Sequence, residues 1–540
     1  MPDRHEAFAF VGLLKDCAKK KDLQQGSALH ADILDRRILH GKSGPYVGSA
    51  LISMYAKCGA LAKARRVLET LPVRNVVSWN ALIAGYAQQG QGREAILCFQ
   101  KMMQTVGISP DEVTFICILK ACGSTRAFED GTQIRDEISR RGLLKTNVVL
   151  GNALVDMYVK CGLLAQARQV LEELPARDVV SWSAIIAGYA NEGQGHEALN
   201  CFEQMQREGI SPNNVTFICI LKACGCIGAI DKGKQIHDEI VSRDMLSTNI
   251  ILGTALVDMY AKCGVFAKAQ EVLEQLPVSD VIAWNALIAG YAQNGQGHEA
   301  LNCYMEMTRK GLRPNEVTLS CILKACGSSG AIDKGKQVHE EIISRGLLKS
   351  NVVLGTALVD MYVKCGLLAK AQEVLNELPV RDIITWNSLV AGYTQSGKCH
   401  EAWNCLIEMQ REGLTPNDVT FICILKACGS TRAINKGKQM HKQILDWGLL
   451  ENNIILGTAL VDMYAKCGLL TKAQEVLEDL PLRNVISWNA LIAGYAQEEQ
   501  GREALNCLAQ MRREGHVPNE ITFTCILKAC GSIGAVDKGQ

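Results

Sequence analysis

Several features that would place this chain in a common enzyme or membrane class are scarce or missing. Aromatic residues make up only 5% of its 540 residues, and the 23 cysteines include no Cys-x-x-Cys pair. Zinc ribbons and dithiol redox sites therefore lack their ligand spacing. No apolar run is long enough to span a membrane. The formal net charge is +1, so any nucleic-acid footprint must be a local stripe on one face.

The opening segment, residues 1–6, also lacks the composition of an organellar transit peptide. It carries Asp3 and Glu6 and leads directly into a periodic pattern, whereas transit peptides are rich in Arg and Ser and poor in acidic residues. We treat it as an N-terminal leader.

Repetition dominates the rest of the chain. Trp182, Trp284, Trp386 and Trp488 stand 102 residues apart, and many cysteines recur with the same period. Each block divides into units of 31, 35 and 36 residues, as in 148–178, 179–213 and 214–249. Cysteines repeated in this way are typical of small buried hydrophobic residues and not of metal ligands.

Every unit has the pattern of two helices. In 148–178, apolar residues from Ala153 to Cys161 recur with the helical period, Gly162 interrupts them, and a second stripe ends at Pro175. Two short helices cannot bury two such stripes alone, but stacked pairs form a continuous core. The sequence therefore predicts an all-α fold, a right-handed superhelical α-solenoid with one concave face.

The amino-acid motifs of these units resemble those of a known family. "VVSWNALIAGYAQQGQGREAILCFQKM", "GNALVDMYVKCGLLAQARQVLEELPARD" and "VTFICILKACGSTRAFEDG" are similar to the P, S and L motifs of plant pentatricopeptide-repeat proteins of the PLS arrangement. The likeness runs from residue 7 to residue 540. The tetratricopeptide pattern is absent.

The repeat register follows from these motifs. After the leader it runs L 7–44; S 45–75, P 76–111, L 112–147; S 148–178, P 179–213, L 214–249; S 250–280, P 281–315, L 316–351; S 352–382, P 383–417, L 418–453; S 454–484, P 485–519; and a truncated L 520–540. The S-P-L blocks are thus 45–147, 148–249, 250–351 and 352–453, followed by S-P over 454–519. Because the last unit stops inside its second helix, we expect the chain to be a fragment of a longer protein.

Two positions of each S and P unit are restricted to Ser, Thr, Asn and Asp. In unit order, the fifth and last residues form the pairs Ser49/Asn75, Asn80/Asp111, Asn152/Asp178, Ser183/Asn213, Thr254/Asp280, Asn285/Asn315, Thr356/Asp382, Asn387/Asn417, Thr458/Asn484 and Asn489/Asn519. The alternative is a helix cap, since caps prefer the same residues. The family resemblance implies instead that each pair reads one base of single-stranded RNA by hydrogen bonds to its edge.

The chemistry of the last residue fits that interpretation. U and G carry a ring N–H, which an Asp carboxylate accepts, whereas A and C carry a ring acceptor, which an Asn amide suits. A short Ser or Thr at the fifth position leaves room for a purine, and the longer Asn favours a pyrimidine. Together with the resemblance, this predicts the ligand 5′-AUnUAnGYnGYnAY-3′, read from the N-terminus, where n is any base and Y a pyrimidine.

Two further positions fit an RNA groove. The resemblance implies that the second residue packs on base faces, the alternative being inter-repeat core: Val77, Val149, Val180, Ile251, Ile282, Val353, Ile384, Ile455 and Ile486. It also implies a phosphate contact at the thirteenth residue of S units, the alternative being a solvated helix end: Lys57, Lys160, Lys262, Lys364 and Lys466. L units have Ile116, Ile218, Ser320 or Ile422 as the fifth residue, so we expect them to space bases more than to read them.

No enzyme is predicted in this chain. A deaminase needs an H-x-E…C-x-x-C zinc signature, and the H-x-E strings at His237 and His339 have no C-x-x-C after them. We expect no cofactor and no metal, single-stranded RNA as partner, and no membrane. The resemblance implies a mitochondrial or chloroplast protein that recognises sites for C-to-U RNA editing or related RNA processing, with an editing deaminase or accessory editing factors as further partners. The alternative is a protein–protein interaction scaffold of tetratricopeptide type.

Overall fold

The structure is a computed structural model that describes residues 4–247, 249–277, 280–451 and 453–532. The chain forms two compact units, Met1–Ser279 and Asp280–Gln540. Within the described ranges every regular element is a helix, which confirms the predicted all-α stack of helix pairs. Residues 1–3 of the predicted leader and residues 533–540 of the predicted last repeat lie outside the described residues.

The first unit contains sixteen α-helices and two short 3-10 helices. Its α-helices are α1 Arg4–Lys20, α2 Leu23–Asp35, α3 Gly44–Lys57, α4 Leu61–Thr70, α5 Val76–Gln88, α6 Gly92–Gln104, α7 Glu112–Thr125, α8 Phe128–Arg140, α9 Val148–Lys160, α10 Leu164–Glu173, α11 Val179–Asn191, α12 Gly195–Arg207, α13 Asn214–Ile227, α14 Ile230–Ser242, α15 Ile250–Lys262 and α16 Phe266–Gln275. The 3-10 helices are Ile38–His40 and Leu143–Lys145.

The second unit has the same plan. Its α-helices are α17 Val281–Gln293, α18 Gly297–Arg309, α19 Glu316–Ser329, α20 Ile332–Ser344, α21 Val352–Lys364, α22 Leu368–Glu377, α23 Ile383–Gln395, α24 Cys399–Arg411, α25 Asp418–Ser430, α26 Ile434–Asp446, α27 Ile454–Lys466, α28 Leu470–Asp479, α29 Val485–Gln497, α30 Gly501–Arg513 and α31 Glu520–Ser532. A 3-10 helix covers Leu347–Lys349.

Local sequence explains where these helices end. The first helix of a pair stops near a glycine in the left-handed region, as at Gly162 with φ 77°, a conformation that costs glycine little. Second helices of S units have 10 residues, against 13 in α12. In α10 the reason is Pro175, because the residue before a proline is excluded from helical geometry, and Leu174 is extended with ψ 130°.

The hydrophobic core of each of the two compact units lies between neighbouring helix pairs. First helices of successive pairs pack on one another, as α9 does on α7 and α11, and Tyr158 and Trp182 are each 1% exposed. Gly151 allows close packing within one pair, because a Cβ there would lie 2.4 Å from Cδ2 of Leu174, the C-cap of α10.

All 23 cysteines lie in the described ranges and are free. Burial raises the pKa of the Cys122 and Cys224 thiols to about 12, so these sulfurs stay protonated and act as packing groups. Among the described helices, none combines the length and apolar content that crossing a bilayer requires.

Candidate nucleic-acid interface

The last residue of every predicted S and P unit caps the next first helix. The Asp111 Oδ1 atom accepts the Thr114 backbone N–H at 2.8 Å, and Asn315 Oδ1 accepts that of Thr318 at 3.0 Å. The same bond is made by Asn75, Asp178, Asn213, Asp280, Asp382, Asn417, Asn484 and Asn519. The helix-cap interpretation is therefore correct for these residues, and Asp and Asn satisfy it alike through one oxygen.

Capping leaves the second terminal atom of these side chains for other contacts. In Asp111 and Asp382 this atom is the acceptor Oδ2, and in the capping asparagines it is the donor Nδ2. Within the described residues, neither Oδ2 has a hydrogen-bond partner. Asp178 differs, since its Oδ2 accepts from Asn152 Nδ2 at 3.0 Å. Asp and Asn thus cap their helices in the same way, but the remaining terminal atom is an acceptor in Asp and a donor in Asn.

The asparagine at the fifth position of most P units lies beneath the last residue. Asn80 Nδ2 donates to Asp111 Oδ1 at 2.8 Å, and Thr114 Oγ1 donates to Asn80 Oδ1 at 2.6 Å. The same arrangement recurs at Asn285, Asn387 and Asn489. These four side chains are 6–8% exposed, so they are not the open surface row that a direct reading of the sequence suggests. They position the last residue and retain one amide N–H each beyond that bond.

Where the fifth residue is serine or threonine, its hydroxyl contacts a hydroxyl of the next unit or a backbone carbonyl of its own helix. Ser183 Oγ lies 2.6 Å from Thr216 Oγ1, and Thr356 Oγ1 lies 2.7 Å from Thr385 Oγ1. Thr385 Oγ1 in turn donates to Asp382 Oδ1 at 2.5 Å. Thr458 instead donates to the Ile454 carbonyl of its own helix at 2.8 Å.

In P units, the third residue of the following L unit connects the fifth and last residues, and the sequence analysis did not identify it. Thr114 is fully buried and completes a capping box. Its single hydroxyl proton is shared between Asn80 Oδ1 at 2.6 Å and Asp111 Oδ1 at 2.8 Å. Its equivalents are Thr216, Thr318, Thr420 and Thr522, each 0% exposed. The signal was present, since every L unit from residue 112 onward has threonine in third place.

The Asp111 carboxylate is ionised in this setting. Burial acts to raise its pKa, but the Thr114 backbone N–H and the side chains of Asn80 and Thr114 outweigh burial and hold the pKa below its ordinary value. A hydrogen-bonded carboxylate of this kind is an acceptor and not a donor at neutral pH.

A row of branched aliphatic side chains is exposed beside these pairs. The nine predicted second-position residues are 54–69% exposed: Val77, Val149, Val180, Ile251, Ile282, Val353, Ile384, Ile455 and Ile486. The alternative that they form inter-repeat core is therefore wrong. L units add Val113, Val215, Val317, Val419 and Ile521, which are 51–61% exposed. Apolar side chains repeated at this spacing on one side of the first helices are unusual on a solvated surface.

One pocket in the second unit shows how these groups meet. It has a volume of about 510 Å³ and is lined by Val353 and Ile384, the exposed aliphatic residues of two successive repeats, and by Thr356 and Asp382. Lys324 of the preceding L unit also lines it. Two apolar walls with polar groups between them form a slot suited to a flat ring with a hydrogen-bonding edge.

The predicted phosphate lysines lie in ion pairs. Lys160 Nζ is 2.7 Å from Asp156 Oδ2 in the preceding helical turn. The pairs Lys262–Asp258, Lys364–Asp360 and Lys466–Asp462 have the same distance. Lys57 has Ser53 in place of the aspartate. In four of the five predicted phosphate contacts, a neighbouring aspartate therefore neutralises the charge of the lysine.

L units differ from S and P units at both positions. Their fifth residues, Ile116, Ile218, Ser320 and Ile422, are half-buried. Their last residues also cap, as Asn147 does, but the amide donor of Asn147 is held by Glu112 Oε2 at 2.5 Å. Asn453 Nδ2 is held by Asp418 in the same way. The donor that other units leave open is thus occupied here.

The histidines of the two H-x-E strings are structural. His237 and His339 are each 6% exposed, and their Nδ1 atoms lie 2.9 Å from the hydroxyls of Tyr260 and Tyr362. Within the residues that the structure describes, no group of three His, Cys, Asp or Glu side chains is placed to hold a metal ion.

Comparison with known proteins identifies the family. The profile of the PPR repeat family matches residues 74–124, 177–226, 279–328, 381–430 and 483–532, and the PPR repeat profile matches 152–179, 317–347, 356–383 and 458–485. The chain belongs to the pentatricopeptide repeat family. A chloroplastic pentatricopeptide repeat-containing protein of Arabidopsis thaliana is 36% identical over 90% of this chain and 78% of its own length. A second chloroplastic member from the same plant is 32% identical over 98% of the chain and 61% of its own length.

Solved structures agree with this pentatricopeptide repeat fold. The crystal structure of the maize pentatricopeptide repeat protein PPR10 covers 99% of the chain and 88% of PPR10, with a TM-score of 0.56 at 18% identity. A second crystal structure, of PPR10 in complex with an 18-nt psaJ RNA element, has a TM-score of 0.50 at 17% identity. At this identity the likeness shows the fold.

Proposed function

We propose that this pentatricopeptide repeat protein binds one sequence of single-stranded RNA, one base per repeat, with S and P units reading and L units spacing. The arrangement is the PLS one in the register given above. The pocket formed by Val353, Ile384, Thr356 and Asp382 carries this proposal. Its two aliphatic walls suit the faces of a base, and its polar residues suit the base edge. PPR10, which shares the fold, has been solved with a bound RNA element.

The restriction to Asp and Asn at the last position supports base reading beyond capping. Asp382 and Asn417 cap their helices through Oδ1 in the same way, so helix stability alone gives no reason to distinguish them. Their other atoms differ, one being an acceptor and the other a donor. A ligand that carries a ring N–H or a ring nitrogen would distinguish them. The proposed target is therefore 5′-AUnUAnGYnGYnAY-3′.

The relatives support a proposal for the organelle, and the family resemblance suggests the wider role. Both relatives described above are named chloroplastic, and a further one, 34% identical over 98% of the chain, is named mitochondrial. We place this protein in one of those organelles, as the site-recognition factor for C-to-U editing or related RNA processing. An editing deaminase or accessory editing factors would act on the RNA that it holds, and no catalysis is assigned to this chain.

Exchange of one atom tests the proposal. Asp382→Asn keeps the capping oxygen and replaces the acceptor Oδ2 by a donor. It should move the preference at the second G of the target towards A, with a discrimination of about 1–3 kcal/mol between the two bases. The measurement is the Kd for four 5′-fluorescein RNAs that differ only at that base.

Asn417→Asp is the matched control, because it makes the reverse exchange at the adjacent nucleotide. It should restrict that position from either pyrimidine to U. A uniform loss of affinity for all four RNAs in both variants would show that these residues only cap helices. Equal binding of unrelated single strands by the wild-type chain would favour a scaffold function.

A further inference from the structure

The ninth residue of the first helix distinguishes the three unit types by charge. Counted from the start of each unit, it is aspartate in four S units, at 156, 258, 360 and 462, and serine in the first, at 53. In P units it is alanine, at 84, 187, 289, 391 and 493. In L units it is lysine: Lys15 in the first, and then Lys120, Lys222, Lys324, Lys426 and Lys528, which we call the L-unit lysines. The ninth residue lies one helical turn beyond the fifth, on the same helix face. It therefore borders the positions that read bases in S and P units.

The L-unit lysines retain the charge that the S-unit lysines share with an aspartate. All five L-unit lysines are exposed. Among the described residues no carboxylate forms an ion pair with them, whereas Lys160, Lys262, Lys364 and Lys466 are each paired at 2.7 Å. Within the described ranges, one L-unit lysine makes a side-chain hydrogen bond: Lys222 Nζ donates to the neutral Asn191 Oδ1 at 2.7 Å.

Packing restrains the S-unit lysines further. A Cβ placed on Gly123 would lie 3.2 Å from Lys160 Cδ, and one on Gly327 would lie 3.2 Å from Lys364 Cδ. Their stems therefore lie against the first helix of the preceding L unit. By contrast, Lys324 lines the same pocket as Thr356 and Asp382, so this lysine borders the proposed base site.

We propose that the L-unit lysines are the main phosphate contacts of the RNA groove. Each L unit then holds the backbone at the nucleotide whose base it leaves unread, once per block of three repeats. An exposed, unpaired ammonium at this spacing matches a phosphate chain, and its binding releases counterions. This inference rests on the proposed RNA-binding function and assigns the L units a task within it.

Three variants of the full chain, with the same single-stranded RNA, test this assignment. The first removes four L-unit charges, Lys120→Gln, Lys222→Gln, Lys324→Gln and Lys426→Gln. The second removes four exposed lysine charges from second helices, Lys63→Gln, Lys234→Gln, Lys336→Gln and Lys438→Gln. The third replaces four ion pairs without changing the net charge, Asp156→Asn with Lys160→Gln and the same exchange at 258/262, 360/364 and 462/466.

The readout is the slope of log K against log salt concentration. For single strands each phosphate contact contributes about 0.7 to this slope, so the first variant should flatten it by about 3. Between 50 and 200 mM salt, the wild type should then lose about 50-fold more affinity than this variant does. The second and third variants should keep the wild-type slope, and all three should keep the base preferences.

Contrary outcomes separate this inference from the function on which it rests. A wild-type slope in the first variant, or an equal flattening in the second or third, overturns the assignment of the L-unit lysines while sequence-specific binding stands. Failure of the wild type to prefer the target over a scrambled RNA overturns the proposed function itself. RNA with uncharged methylphosphonate linkages beside the n nucleotides provides a second readout. The wild type should bind it more weakly than unmodified RNA, whereas the first variant should bind both RNAs with equal affinity.

Discussion

At the scale of single residues, one side chain does two kinds of work through its two terminal atoms. The Oδ1 atom of Asp111 or Asn315 caps a helix, and we propose that the other terminal atom faces a base. The sequence predicted these positions because their residue types are restricted. It left helix cap and base reader as alternatives, since both functions prefer Ser, Thr, Asn and Asp. The structure shows that the cap is real and that it uses only one of the two atoms.

The buried fifth residue was harder to predict. The sequence does not show how deeply a polar residue within an apolar helix stripe is buried. Its burial depends on the hydrogen-bond partner that the next unit supplies. Asn387 is 8% exposed because Thr420 and Asn417 satisfy its amide. That Thr420 lies 33 residues away in sequence, where only the stacking of repeats brings it into contact.

Removal of that amide should therefore destabilise the repeat. Asn387→Ala removes the hydrogen bonds that Asn387 makes with Asn417 Oδ1 and with the fully buried Thr420 hydroxyl. Because an intramolecular hydrogen bond contributes about 0.5–1.5 kcal/mol, the loss of both should cost about 1–3 kcal/mol. The control Asn417→Asp keeps the capping oxygen and should change stability by less than about 0.5 kcal/mol. Urea unfolding followed by circular dichroism measures both, and equal midpoints for Asn387→Ala and the wild type would contradict the proposed network.

At the scale of helices, the contact between an L unit and the next S unit contains a repeated histidine, which is buried at 237 and 339 and half-buried at 30 and 441. His30–Tyr55, His237–Tyr260, His339–Tyr362 and His441–Tyr464 each have Nδ1 2.9 Å from the tyrosine hydroxyl. The L unit 112–147 has Arg135 at the corresponding position, where it donates to Glu173. Periodicity predicted these helices and their pairing, but not the histidine–tyrosine bond, because a lone histidine on an apolar stripe does not identify its partner.

These histidines predict a loss of stability in mild acid. Burial, followed by the nearby Lys268 or Lys370, lowers the pKa of His237 and His339 below the ordinary value of 6.5. The folded chain then binds fewer protons than the unfolded chain, so stability is complete above pH 6.5 and falls as the pH drops below it. Melting temperatures between pH 7.5 and 5.5 measure the effect.

A matched variant isolates the histidine contribution. Gln in place of His237 and His339 keeps a hydrogen-bonding group for the tyrosine but does not titrate. Its melting temperature should fall less between pH 7.5 and 5.5 than that of the wild type. An unchanged pH dependence would mean that other groups cause the acid sensitivity.

At the scale of the whole molecule, the fold could be predicted because the sequence repeats. Each helix pair can bury its stripes only on its neighbours, so the period alone fixes the architecture. The charge pattern of the groove could not be read in the same way. The sequence predicted phosphate contacts at the thirteenth-position lysines of S units, and only the structure shows that Lys160 and Lys364 are paired with Asp156 and Asp360.

The repeat register makes a prediction for the whole chain. Deletion of residues 352–453 removes one S-P-L block and joins Asn351 to Ile454, which recreates the Asn–Ile junction now present at 453 and 454. Stability in such arrays is a sum over repeats and their interfaces, so the shortened chain should fold. If each repeat takes one nucleotide, it should prefer 5′-AUnUAnGYnAY-3′, which lacks one GYn triplet.

Competition between the two RNAs measures this shift. The wild type should prefer the longer target and the deletion variant the shorter one. A deletion of residues 383–417 alone, which removes one P unit, is the control and should shorten the preferred target by one nucleotide, since it also joins equivalent repeat ends. Retention of the longer preference by the 352–453 deletion would contradict the one-base-per-repeat register, even if single substitutions such as Asp382→Asn behave as expected.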